Sequence, residues 1–197
     1  MSREKLRAVL LRVVLYLGLA VVLTWPTAIE LGRRVPGAGR ADLWNSLWSF
    51  WFVEQSLRSG GVPWRTELLG FPDGGVLVPA DPLGGLLLAP VTAVFGVAFA
   101  YGVFVLLQLM FSGLAADALA RYLARSPAAG WVAGVSFAAA PVLLSGVHNG
   151  TSESFGGGWL ALSVLLTLRA ADRGGWKAVV GAGLGLGLAT VSGWYLG

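Results

Sequence analysis

The sequence predicts an all-α integral membrane protein of about five transmembrane helices, with an interfacial helix in the first outer loop and a short re-entrant segment. Three observations carry that prediction. Of the 197 residues, 56% are hydrophobic and only 12% charged, which is less polar surface than a soluble domain of this length requires. The charges are spaced so that 13–29, 82–116, 126–152, 154–168 and 178–197 contain no Asp, Glu, Lys or Arg. A bilayer core about 30 Å thick takes roughly 20 apolar helical residues. Finally, Val, Leu, Ala and Gly follow one another without alternation of polarity, which favours helices over a transmembrane barrel.

The elements follow in order. Met1 to Arg12 resembles the basic start of a signal peptide, but no small-residue cleavage site follows, so span one reads as a retained anchor. Spans are expected at about 8–29, 97–120, 127–147, 155–171 and 176–197, forming a single transmembrane domain with an outer loop at 30–82. Arg3, Lys5, Arg7 and Arg12 place the N-terminus in the cytoplasm, and Arg121, Arg125, Arg169, Arg173 and Lys177 mark two further cytoplasmic turns. Seven of the ten acidic residues then face outside: Glu30, Asp42, Glu54, Glu67, Asp73, Asp81 and Glu153. The stretch from Pro82 to Tyr122 is too long for one crossing, and two would put Arg121 and Arg125 on the wrong side. Residues 83–95 are therefore expected to be re-entrant or interfacial. The ending Trp194-Tyr195-Leu196-Gly197 lies at the edge of the last span and reads as a C-terminal truncation.

Composition narrows the function classes. Without cysteine there are no disulfides and no thiolate metal sites. The net charge of +4 sits beside the spans as a topology signal, so nucleic acid is not an expected partner.

The candidate chemistry is in the outer segments. Asp42 opens a helix expected over 42–58, where it fits an N-cap. Helical spacing puts Asp42, Asn45, Ser46 and Ser49 on one side and Trp44, Leu47, Trp48 and Trp51 on another. Such a helix would lie in the headgroup zone with tryptophans in the membrane and polar groups towards water. Asp42 is either a cap in a membrane anchor or a carboxylate able to act as general base or bind a cation. Arg33, Arg34, Arg40, Arg58 and Arg65 in the same loop suit phosphate recognition or headgroup attraction. Phe71-Pro72-Asp73-Gly74-Gly75 is a turn signal, and Asp81 before Pro82 can reach the cavity of Asp42 or serve as a cap. His148 and Glu153 flank a second outer segment, as ligand or proton carrier or as a polar turn. Asp117, inside a span, is expected to pair with Arg121 one turn later. Gly181, Gly183, Gly185 and Gly187 read as helix-packing positions.

Several of these pieces together resemble the GT-C superfamily of polytopic membrane glycosyltransferases and related bacterial multi-span proteins. They are Thr24-Trp25-Pro26, Gly39-Arg40-Ala41-Asp42 running into Trp44, Trp48 and Trp51, Phe71-Pro72-Asp73-Gly74-Gly75, Ala120-Arg121-Tyr122-Leu123 before Ala128-Ala129-Gly130, and Phe137-Ala138-Ala139-Ala140-Pro141. The resemblance implies a bacterial inner-membrane protein with Asp42 as catalytic base or metal ligand. It also implies a divalent cation (magnesium or manganese) and a polyprenyl-phosphate sugar as donor. Arg40, Asn45, Trp48, Asp81, His148 and Glu153 are the substrate-binding candidates. The chain departs from the family in that Ala41 and Leu43 flank Asp42, leaving no acidic pair, and in having fewer spans than members carry. The expected function is sugar transfer from a polyprenyl-phosphate donor at the extracytoplasmic face. The alternatives are a non-catalytic scaffold or transporter subunit, or an inactive fragment.

Overall fold

The computed structural model describes residues 3–39, 41–70, 72–76 and 79–193, the side chains of Ala41 and Val76 excepted. The fold is all-α apart from one two-residue ladder. Its helices are α1 (Arg3–Leu23), α2 (Ala41–Arg58), α3 (Pro82–Phe95), α4 (Val97–Ala124), α5 (Pro127–Ala138), α6 (Pro141–Asn149), α7 (Gly157–Arg173) and α8 (Trp176–Ser192). Strands β1 (Arg65–Thr66) and β2 (Gly75–Val76) pair antiparallel between α2 and α3, with Arg65 opposite Val76 and Thr66 opposite Gly75.

Among the described residues four stretches are long and apolar enough to cross a membrane: Arg3–Leu23, Val97–Ala124, Pro127–Asn149 and Ser152–Arg173. The expected fifth span is represented by α8, an apolar helix of 17 residues; Trp194 to Gly197 lie outside the described residues. The segment expected to be re-entrant is α3, with 14 residues. At 1.5 Å per residue it is about 21 Å long, too short to cross.

Local sequence explains the boundaries. Asp81 caps α3, its Oδ1 accepting from the Gly84 amide at 2.6 Å, and Pro82 occupies the first turn, where no N–H is needed. Ser126 and Pro127 start α5 the same way. The span expected as one piece over 127–147 is two helices. Pro141 cannot donate into α5 and holds Ala140 extended (φ −61°, ψ 134°), so α5 stops at Ala138 and α6 begins afresh.

The long helix α4 is the centre of the molecule, and its neighbours reach it through glycines. A methyl group at Gly158 of α7 would lie 2.9 Å from the Ser112 backbone nitrogen, and one at Gly84 of α3 would lie 2.7 Å from Phe104. One at Gly113 of α4 itself would lie 2.6 Å from the Tyr16 ring of α1. Gly134 of α5 faces both the Tyr16 hydroxyl and, at 2.7 Å, the Gly113 carbonyl. Small residues let helix backbones approach closely and add dispersion contact on both sides. The Ser112 hydroxyl also accepts from the Gly158 amide at 3.0 Å, satisfying a first-turn donor of α7 from a neighbouring helix. By contrast, of the four α8 glycines expected to pack helices, only Gly185 meets a neighbour among the described residues, Leu166 of α7.

At one end of α4 the buried Asp117 is held by two arginines. Arg12 Nε donates to Oδ2 at 2.8 Å and Arg121 Nε to Oδ1 at 2.6 Å. The Arg121 pair matches the sequence expectation; Arg12, from α1, is the additional partner. Arg12 also lies over Trp131 of α5, which stacks on Tyr16. The basic ends of α4 and α7 meet here too, where the Tyr122 hydroxyl donates to Asp172 and Arg169 lies over the Tyr122 ring.

The glycine contacts can be tested against a control in the same fold. Gly134→Ala is expected to cost about 1–3 kcal/mol through overpacking. Gly183→Ala, with open space at its Cβ, is expected to be neutral or to stabilise by up to about 1 kcal/mol. Thermal unfolding in detergent of the two variants beside wild type checks both.

Candidate functional site

The opposite end of α4 gathers the outer-loop residues. Helix α2 begins at Ala41, so Asp42 lies in its first turn, exposed. Negative charge is favourable there because the first amides of a helix are unpaired. The segment after α6 packs on this turn backbone to backbone. Gly150 has φ +78°, which favours glycine, and a methyl group there would lie 2.5 Å from the Leu43 Cα. Two hydrogen bonds fasten the contact: Ala38 N donates to the His148 carbonyl at 2.7 Å, and Ser46 Oγ to the Gly150 carbonyl at 2.7 Å. The turn bearing Asp42 and the segment bearing His148 and Glu153, about 105 residues apart in sequence, thus form one surface.

Beneath that surface is a buried polar cluster. Ser46, Ser152, Asp81 and Tyr101 are each 1% exposed or less. Ser46 Oγ lies 3.2 Å from Ser152 Oγ, which donates to Glu153 Oε2 at 3.5 Å. The Tyr101 hydroxyl of α4 lies beside that of Ser46 and completes no hydrogen bond of good geometry among the described residues. Asp81 uses Oδ1 to cap α3, while its Oδ2 is buried with no partner among the described residues. Burial pushes the Asp81 carboxyl up from 3.8 to about 7, the Gly84 amide opposes this, and the negative charge of Glu153 adds to it. Ser49, also buried, accepts from the Ala80 amide at 3.3 Å and ties the approach of α3 to α2.

The orientation of α2 corrects the sequence reading. Ser46 and Ser49 face the protein interior, and Trp44 and Trp51 are 63% and 37% exposed. The serines go inward because Ser152 and the Gly150 carbonyl give Ser46 partners and the Ala80 amide gives Ser49 one, whereas an indole can remain on an apolar outer surface. Trp48 is half-buried and stacks on Phe52 at 4.8 Å.

The other candidates distribute as follows. Asn45 is exposed one turn from Asp42. His148 is exposed and lines a 210 Å³ cleft with Thr24, Trp25 and Gly37. Glu153 is half-buried, while Asp81 is wholly enclosed. Arg40 lies outside the described residues. Arg34 pairs with Glu30, Arg58 pairs with Glu54 at 3.4 Å, and Arg65 lines a separate 500 Å³ cleft with Trp51 and Gln55. Among the described residues no three His, Asp or Glu side chains converge in a metal-binding group. Tyr101, Ser46 and Ser152 are members that sequence reasoning missed as site residues. A phenol early in an otherwise apolar helix was the available signal.

An apolar cleft of 430 Å³ opens between α3, α4 and α7, and Gly84 is part of its wall. The same residue's amide holds Asp81. The polar cluster and the apolar cleft therefore share one turn of α3.

Comparison of the chain with protein-family models, with curated proteins and with solved structures finds no match.

The Asp81 carboxyl gives a pH signature. Its folded-state value lies above its unfolded value, so the folded protein holds this proton more tightly. The resulting stability is full below about pH 4 and is lost as pH rises towards about 7. Unfolding temperatures measured from pH 4.5 to 8 in choline chloride should fall across that window in wild type and be flatter in Asp81→Asn. Identical profiles would contradict the assignment.

Proposed function

We propose that this chain is a multi-pass membrane protein of glycosyltransferase type, transferring a sugar from a polyprenyl-phosphate donor at the extracytoplasmic face of a bacterial inner membrane. The observation that carries this reading is the backbone contact at Gly150. It joins an exposed carboxylate at a helix N-terminus, Asp42, to a second polar segment above an apolar cleft. A lipid-linked sugar needs that pairing: water-side polar groups for the head and an apolar wall for the chain.

The topology follows from charge. The basic ends of α1, α4 and α7 lie on the cytoplasmic side, and the acidic outer loop lies opposite. Helix α4 has 28 residues and is about 42 Å long, some 12 Å more than the roughly 30 Å core. Tyr101, in its second turn, then falls near the outer boundary of the hydrocarbon, with Asp42 on its water side.

In the proposed reaction an acceptor hydroxyl gives its proton to the Asp42 carboxylate as its oxygen attacks the anomeric carbon. The bond from that carbon to the donor phosphate oxygen breaks, and its electron pair leaves with the polyprenyl phosphate. Arg33 and Arg40 meet the phosphate charge, Asn45 and His148 orient the sugar hydroxyls, and Trp48 and its ring stack set the depth of the site. Asp42 has no pair of further carboxylates or imidazoles beside it among the described residues, so no step is routed through a cation.

The test is sugar transfer in proteoliposomes, using labelled polyprenyl-phosphate hexose and pentose donors. Asp42→Asn is expected to lower turnover by about 10²–10⁴-fold while lowering the unfolding temperature by no more than about 1–4 °C, the loss of one exposed charge at a helix N-terminus. Absence of transfer by wild type would favour a non-catalytic subunit, and equal turnover in the variant would remove Asp42 as the base.

A further inference from the structure

The buried cluster beneath Asp42 takes no part in the reaction just described, and its composition is unusual for a helix junction. Two carboxylates, Asp81 and Glu153, approach one phenol and three serines, and among the described residues neither carboxylate forms an ion pair. Buried polar atoms without partners are rare in folded proteins and ask for a physical reason. Here there are two of them in one place, Asp81 Oδ2 and Tyr101 Oη, on residues that are 1% and 0% exposed. They come from different elements, α3 and α4, so no single strained turn accounts for both.

We propose that Asp81 Oδ2, Tyr101 Oη, Ser46 Oγ and Ser152 Oγ form a binding site, with Glu153 beside it, for one small monovalent cation of the sodium type. The donor set selects the charge. All the donors are hard oxygens, which excludes soft transition metals. Only one oxygen of a fully enclosed carboxylate is uncommitted, since Oδ1 is engaged by the Gly84 amide, and Glu153 is half-exposed and already accepts from Ser152. Calcium takes 6–8 oxygens with several carboxylates among them, and magnesium retains its waters in a rigid octahedron. Neither finds such a set in this enclosed space. A single positive charge neutralises the enclosed carboxylate and leaves hydroxyl oxygens to complete its shell.

Binding there has a structural consequence. Ser46 belongs to α2, Asp81 to the start of α3, Tyr101 to α4, and Ser152 and Glu153 to the segment after α6. An ion at their junction draws four separate parts of the chain together directly under the Asp42 surface. The titratable groups that face it are Asp81, Glu153 and Tyr101.

Unfolding temperature, read at pH 8 in nanodiscs, tests the proposal apart from any sugar transfer. Sodium chloride is titrated against choline chloride at constant ionic strength. Wild type is expected to show a saturable rise, about 3–6 °C at ten times the half-saturating concentration. Asp81→Asn, whose amide oxygen can still cap Gly84, is expected to lose the rise. Tyr101→Phe, which removes only a hydroxyl, is expected to weaken it at least several-fold in half-saturating concentration. Coincident sodium and choline curves in wild type would overturn the site, as would a sodium response that survives in Asp81→Asn. Stabilisation by magnesium chloride but not by sodium would overturn its charge.

Discussion

The fold depends on how closely other helices can approach α4. Gly113, Gly134, Gly158 and Gly84 each stand where a side chain would collide with a neighbour's ring or backbone. Close van der Waals fit and hydrogen bonds carry much of the association of apolar helices such as these. These glycines permit that fit on three sides of one helix. The aromatic cluster of Phe50, Tyr101, Phe104 and Phe155 fills the space remaining at one end, and its edge-to-face pairs fix the relative rotation of α2, α4 and the start of α7.

Charge is segregated by end. At the basic end Asp117 has both oxygens engaged by arginines and none left for water, which removes most of the cost of burying it. At the other end Asp81 and Glu153 have no such compensation among the described residues, and Asp81 responds by holding its proton to higher pH. The first arrangement is rigid. The second responds to what the surroundings supply, and it lies beneath the exposed residues that the chemistry would use.

Much of this was legible in the sequence, for identifiable reasons. The start of α3 follows from Asp81-Pro82, which act locally, whereas Asp42, expected as the cap of α2, lies inside the first turn of that helix. The partnership of Asp117 with Arg121 follows from helical spacing. The break between α5 and α6 was hidden because Ala139-Ala140-Pro141 sits within a continuous apolar run, where hydropathy does not register one missing donor. The inward direction of Ser46 and Ser49 was hidden for a different reason. Their partners, Ser152, Gly150 and Ala80, are distant in sequence, and a polar stripe on a helix looks the same facing water or a buried polar cluster. The α8 glycines misled in the opposite sense: spacing four apart marks a surface that can pack, and among the described residues only Gly185 finds a partner there.

The arginine bridge at Asp117 also sets an order in time. Arg12 and Asp117 are 105 residues apart. At a synthesis rate of about 5–20 residues per second, roughly 5–20 s pass between their emergence from the ribosome. Through that interval α1 is without α4, and only Tyr16 and Ala20 of its side chains are destined for burial. The Arg12 guanidinium has meanwhile no Asp117 to meet. Helix α1 is thus made well before it can be locked, and it is held only once α4 arrives with the carboxylate that pairs with Arg12.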